Sequence, residues 1–405
     1  MLRFGPGTMT AIPKKVAIPR NGVDYRGKVV LAPMVRSGEL PSRLLALYYG
    51  ADLVWTVDRS MIGTTRKVNT ALQTIDFTRL PSNGSKDPRT DQKESLIYRL
   101  HPEREGNRLI FQIGTSDPTR AVQAARIVAR DVAGIDVNAG CPKPFSTSGG
   151  MGAALLQTPD KLCAILEALV KEITSEFEIG ISVKIRLLET PEMTESLVQK
   201  LCATGITGLT IHCRTTPMRP RERAIREQLK NIALICRQSG VACLMNGDVA
   251  DRKHAEQLMA EYGVDGAMIA TAAESNSSCF RSEADGGLAS WKEVVAQYMK
   301  ICLQLENRFG NTKYLLNHLI PGKQSVYREV TSSKCYSQAC KSLGLVDLEK
   351  RAMEVDTSIG LDSEGCLHKK SRKNKTGLAA GGILGKSTFH TSKERKCLSE
   401  RGVQG

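Results

Sequence analysis

The sequence predicts an α/β protein: a (β/α)8 TIM barrel, then a small all-helical domain and a disordered basic tail. Three observations carry this. Eight short apolar runs recur, most followed by a helix-like segment, over the roughly 250 residues typical of such a barrel. The runs are apolar throughout rather than alternating, as expected for parallel strands buried on both faces. A doubly wound sheet, the competing architecture, would be expected to carry Gly-x-Gly-x-x-Gly after its first strand; here MVRSGELPSR follows.

The elements can be taken in order. KVVLAP (28–33) reads as the first strand and precedes the helical LPSRLLALYYG (40–50). ADLVWT (51–56) is the second. RLIFQIG (108–114) precedes DPTRAVQAARIVARD (117–131), and AGIDVNAG (133–140) precedes PDKLCAILEALVKEI (159–173). GISVKIRLL (180–188) leads into EMTESLVQKLCATG (192–205). ITGLTIHCR (206–214) leads into RAIREQLKNIALICRQSG (223–240). VACLMNG (241–247) is followed by DRKHAEQLMAEYG (251–263), and VDGAMIA (264–270) is the eighth strand. From 288 to 352 strand signals stop and LASWKEVVAQYMKICLQLENRF, TKYLLNHLI and SKCYSQACKSLG read as helices. The expected organisation is an N-terminal extension (1–25), the barrel (26–285), the helical domain (286–352) and a polar Gly-, Lys- and Ser-rich tail (353–405).

Charge points to a polyanion. The 405 residues carry a net +15, and residues 366–405 hold seven Lys, three Arg and two Glu. The body therefore stays basic without its tail. In the helical domain Lys313, Lys323, Arg328, Lys334 and Lys341 are interspersed with Tyr314, Tyr327 and Tyr336, a mixture that suits contact with RNA backbone and bases. Solvated helix faces over core tyrosines would read the same. The twelve cysteines are scattered with no C-x-x-C pair. Neither a structural metal nor a disulfide framework is indicated, and a reducing compartment fits. No apolar run reaches the ~20 residues of a membrane helix. Residues 1–23 are basic without acids, but their prolines and glycines break an amphipathic leader. The expected location is cytoplasmic or nuclear rather than mitochondrial, and the expected state is a monomer.

Chemistry in such a barrel sits at the C-terminal ends of the strands. Those ends carry Gln112, Asp136 with Asn138 and Cys141, Lys184 with Arg186, and His212 with Arg214. Then come Asn246-Gly247-Asp248 and Ala270-Thr271. Side chains two apart share a strand face, so Lys184 lies with Arg186 and His212 with Arg214. Charges inside apolar strands are costly unless paired or used. Several in register argue for one shared polar site. The small residues closing the last two strands suit a phosphate held by backbone N–H groups.

APMVRSGELPSRLLALYYGAD, FQIGTSD, GIDVNAGCPK with GGMGAALL, VKIR, IHCRT, MNGD and GNTKYLLNHLIPGK together resemble the tRNA-dihydrouridine synthase family, over about residues 20–350. The resemblance implies a flavin-binding barrel followed by a helical tRNA-binding domain. The implied reaction reduces the C5–C6 double bond of uridine in the tRNA D loop, with position 20 the expected target. FMN is the implied cofactor, recharged by NADPH (or NADH). By the resemblance, Pro33, Met34, Val35 and Gln112 would contact the flavin and Lys184 its N1/O2 edge. His212 would bind the cofactor as well, and Asn246, Gly247, Asp248, Ala270 and Thr271 would hold its phosphate end. Asn138 would hold the uracil, and Arg186 and Arg214 are expected at RNA. The family's acidic segment after the second strand has no counterpart in LVWTVDRSMIG, and Thr271 stands where an arginine is usual. A free-pyrimidine oxidoreductase and a non-catalytic tRNA-binding homologue are the alternatives.

Reducing uracil needs a hydride at C6 and a proton at C5. A thiol, with an ordinary pKa near 8.5, stays protonated at pH 7 and yields its proton readily to a carbanion. Cys141 is the expected acid, on a glycine-flanked loop able to close over an extruded base. Cys163, Cys202, Cys236 and Cys302 read as small buried hydrophobes.

Overall fold

The computed structural model describes residues 16–57, 61–80 and 94–361. The first residues of the N-terminal extension and the tail beyond 361 lie outside the described residues. Eight strands close a barrel: β1 (Lys28–Leu31), β2 (Leu53–Trp55), β6 (Leu109–Ile113), β7 (Gly134–Ala139), β8 (Gly180–Leu187), β9 (Gly208–Thr215), β10 (Ala242–Asn246) and β11 (Gly266–Ile269). Every neighbouring pair in it is parallel, and β1 closes on both β2 and β11. These are the eight runs read from the sequence. Between β2 and β6 stands a separate antiparallel sheet of β3 (Thr65–Asn69), β4 (Thr74–Arg79) and β5 (Ser95–Leu100), which the sequence reading left without elements.

The lumen is packed from below. Val30, Leu53, Trp55, Ile110, Leu244 and Met268 cluster inside the barrel around Tyr25, as alternate strand residues must. Gly208 makes room for that ring: a Cβ there would stand 2.6 Å from it. The expected boundary at residue 25 therefore falls within the barrel's own core. Val16 is also tied in, its N–H donating to the Gly240 carbonyl at 3.2 Å.

Arg43, on helix Leu40–Tyr48, is fully buried. Its Nε meets Glu105 Oε1 at 2.6 Å and its guanidinium lies 4.9 Å over the Tyr98 ring. This fastens the first barrel helix to the β3–β5 insertion. After the barrel come helices Trp291–Gln304, Phe309–Leu319, Val326–Ser332, Tyr336–Leu343 and Val346–Ser358. The last runs past the expected boundary at 352 for a physical reason. The Asp356 carboxylate accepts the N–H groups of Tyr336 and Ser337 at 2.8 and 2.9 Å, capping the helix they open. Among the described residues no helix is long and apolar enough to cross a membrane, and no His/Cys/Asp/Glu group could hold a metal ion.

Candidate active site

At the C-terminal mouth of the barrel lies a cavity of about 230 Å³ lined by Pro33, Val35, Gln112, Asn138 and Cys141, with Lys184, Arg186, His212, Asn246 and Ala270. The structure thus brings ten of the expected residues into one space. Period-2 alternation explains it: Gln112, Asn138, Lys184, His212 and Asn246 all project inward from adjacent strands. Met34 packs into the core instead, and Gly247, Asp248, Thr271 and Arg214 do not line this cavity.

Cys141 is half-buried and free. Its loop is laced down rather than loose. The Asn138 side-chain oxygen accepts the N–H of both Gly140 and Cys141 at 3.1 Å. Arg186 Nε donates to the Gly140 carbonyl at 2.8 Å, and the Ala153 N–H donates to the Cys141 carbonyl at 2.9 Å. Gly152 permits that last approach. Its φ is +58°, and a Cβ there would stand 2.6 Å from the Cys141 oxygen, so a side chain is excluded twice over.

The cationic groups divide into used and available. Arg214 donates to the carbonyls of Glu222 and Pro220 at 2.7 and 3.0 Å and pairs with Asp248. It also meets His212 Nε2 at 3.2 Å. A guanidinium can only donate, so Nε2 accepts and the imidazole proton sits on Nδ1. Burial, reinforced by Lys184, Arg186 and Arg214, pushes the His212 pKa down to about 2, leaving a neutral ring. Arg186 donates through Nε to the Gly140 carbonyl and through Nη1 to the Thr215 carbonyl at 3.0 Å. Arg186 and Arg214, expected at RNA, are both held by backbone carbonyls, Arg186 while still lining the cavity. Lys184 has no direct hydrogen bond among the described residues. Burial first, and Arg186 second, bring its pKa down to about 8.

Beneath them is a group the sequence reading named without a role. Asp136 is fully buried, accepting from Gln112 Nε2 at 2.8 Å and Ser182 Oγ at 2.7 Å. Burial raises its pKa to about 6. Its carboxylate turns the Gln112 amide so that the carbonyl oxygen is left for the cavity. Val57, Pro142 and Phe145 also line the space. Phe145 is 63% exposed at the rim; an aromatic directly after the second proline of CPKPF, in the first turn of helix Pro144–Thr147, was the available signal.

A lone half-buried ammonium, a neutral imidazole with one free N–H and an inward amide oxygen suit an anionic, hydrogen-bonding heterocycle such as a flavin. In the helical region Lys323, Arg328, Lys334 and Lys341 are exposed. Lys313 is not available: its Nζ donates to the carbonyls of Thr331 and Ser333. Tyr336 is core.

A family model described as Dihydrouridine synthase (Dus) matches residues 30–342. A tRNA-dihydrouridine(20) synthase (NAD(P)+) of Schizosaccharomyces pombe is 48% identical over 328 residues, covering 79% of this chain and 65% of that protein. The Saccharomyces cerevisiae protein of the same name is 43% identical over 372 residues, 88% of this chain and 93% of that one. A human tRNA-dihydrouridine(20a/20b) synthase-like protein is 29% identical over 254 residues, 62% of this chain and 70% of its own.

Proposed function

The chain belongs to the dihydrouridine synthase family, and from that premise we propose that it reduces uridine to dihydrouridine in tRNA, at position 20 of the D loop. The observation that carries the reading is the placement of the Cys141 thiol and the unpaired Lys184 ammonium in one cavity at the barrel mouth. Two relatives, at 48% and 43% identity, bear the name of that reaction at position 20.

FMN, when bound, would supply hydride chemistry at C6 of the uracil, with NADPH as its reductant. Lys184, His212, Gln112, Asn246 and Ala270 are the residues that would hold it. Lys184 offers positive charge to an anionic ring edge, and His212 offers its Nδ1–H as a neutral donor. Gln112 offers an oxygen to a ring N–H. The substrate side belongs to the loop. Cys141 holds a proton at Sγ and delivers it to C5, while Asn138 and Arg186 keep the turn in place. Gly247 and Asp248 lie beside the cavity, with Arg226 donating to both carbonyls at 3.0 and 2.9 Å, where the phosphate end would run. The exposed basic residues of the helical region suit the tRNA backbone.

The test uses purified protein, tRNA, FMN and NADPH. Cys141→Ala should keep its flavin and its NADPH-driven bleaching yet form no dihydrouridine. Full activity in that variant would overturn the thiol's role. Turnover of free uridine at the rate of tRNA would favour a free-pyrimidine enzyme instead. A colourless protein that binds tRNA but cannot be reconstituted with FMN would be a binding homologue.

A further inference from the structure

A second cavity, larger than the one containing Cys141, opens beside it. It measures about 540 Å³ and lies between helix Leu40–Tyr48, strand β5 and the start of helix Phe309–Leu319. Val35 and Val57 line both cavities. The two therefore share a wall, and an occupant of one is the neighbour of an occupant of the other.

Its chemistry is layered. Leu96, Ile97 and Tyr98 supply apolar surface. Two carboxamides on the helical side are oriented by their own partners. Asn311 donates its Nδ2 to the Glu39 carboxylate at 2.7 and 2.8 Å, and Asn307 donates its Nδ2 to Thr312 Oγ1 at 3.0 Å. Each amide is left with its oxygen to offer. Glu39 and Glu306 stand on the same wall, Glu39 held by Asn311 and Glu306 paired with Arg351 at 3.2 Å, so the acceptors left facing the interior are the two amide oxygens. Arg36 and Arg308 are exposed at its edge. Arg36 sits at a φ of +72°, its guanidinium 5.3 Å from the Tyr314 ring. A third arginine, Arg99, is occupied by Asp76.

We propose that this cavity is a second nucleoside pocket, taking an amino-bearing base from a nucleotide adjacent to the target uridine. Apolar surface covers the base, the acceptor wall takes its exocyclic amino group, and the two edge arginines meet the flanking phosphates. Enzymes that act on an extruded base commonly choose substrates through contacts to the flanking nucleotides. The inference rests on RNA uridine being the substrate.

The experiment measures dihydrouridine formation on tRNAs in which the nucleotide on either side of the target is made abasic in turn. At one flank only, KM should rise roughly tenfold, as loss of one stacked base implies, with kcat unchanged. Purine riboside at that flank, a ring without the amino group, should reproduce much of the rise. Leu96→Trp fills the cavity without lining the one beside Cys141. It should raise KM for intact tRNA and add nothing further on the abasic one; Arg308→Ala should raise it through the edge alone. Equal KM for both abasic tRNAs and the intact one overturns the pocket, as does full additivity of Leu96→Trp with the abasic change. Slowed NADPH-driven flavin reduction in Leu96→Trp, with KM for tRNA unchanged, overturns it in favour of a dinucleotide site. Wild-type turnover of intact tRNA, read in the same series, reports on the function itself, so the two failures are distinguishable.

Discussion

The side-chain oxygen of Asn138 accepts the backbone N–H of Cys141 at 3.1 Å. Arg186 grips the same turn from the carbonyl of Gly140, so two side chains at the barrel mouth set where the thiol stands. Asn138→Ala should let the turn shift by a fraction of an ångström to an ångström. Misplacement of that size costs up to about 100-fold in rate. The expected outcome is a fall in kcat of one to two orders of magnitude, with flavin content and NADPH-driven reduction unchanged. Asn138→Asp keeps the acceptor and should recover most of the loss; a variant that affects only KM would assign Asn138 to uracil alone.

On the proposed function, Lys184 should give the protein a pH-dependent affinity for FMN. Burial brings its pKa down to about 8, so the ammonium is charged below that pH and neutral above it. FMN affinity, followed by flavin fluorescence quenching from pH 6.5 to 9.5, should be flat at the acid end. Above pH 8 it should weaken, by at most about tenfold per pH unit. Lys184→Met should bind weakly throughout and lose the slope. An unchanged slope in that variant would place the titrating group elsewhere.

Asp136 stores a cost in the fold. Its pKa, raised by burial to about 6 from an ordinary 3.8, means that between those values the native state binds more protons than the unfolded chain. Its contribution to stability therefore falls as pH rises through that window and the cost is complete above pH 6. About two units correspond to a cost of at most about 3 kcal/mol. Asp136→Asn can still accept from Gln112 and donate to Ser182. It should melt several degrees above the wild type at pH 7.5 and close to it at pH 4. Equal melting temperatures across the range would mean that the carboxylate is not ionised in the folded protein.

The barrel was legible because its strands are buried on both faces, so apolar runs such as GISVKIRLL stand out wherever a charge interrupts them. Period-2 spacing then placed Lys184, His212 and Asn246 in one mouth. What was not legible depended on partners distant in the chain. Arg186 and Arg214 look alike in sequence, and Lys184 looks like both. Only Asp248 and the carbonyls of Glu222, Pro220 and Gly140 show which cations are occupied. Tyr25 reads as part of an extension until Gly208 shows the space it fills. The insertion escaped because β3, TRKVN, is mostly exposed and carries no apolar run. Its neighbour β4 buries Ile75 and Phe77 against residues whose positions only the fold supplies.

Among the described residues, the pair Arg43–Glu105 should be the most costly single ion pair to break. The two side chains are 0% and 1% exposed, and the guanidinium also donates to the carbonyls of Gly38 and Arg99 at 2.9 and 3.0 Å. Glu105 in turn accepts the His101 N–H at 2.9 Å. Arg43→Ala strands a carboxylate in a dry interior and removes the cation over Tyr98, and losses of about 3–5 kcal/mol follow from stranding one buried partner. Helix Leu40–Tyr48 begins just after Val35 and Glu39, both of which line the larger cavity. Loosening it should therefore cost affinity for tRNA as well as stability. Replacing both partners, as in Arg43→Met with Glu105→Leu, leaves no stranded charge and should lose less than Arg43→Ala alone. Denaturant titration of the three proteins checks the order; a double variant weaker than the single would show that the hydrogen bonds to Gly38, Arg99 and His101 outweigh the charge pair.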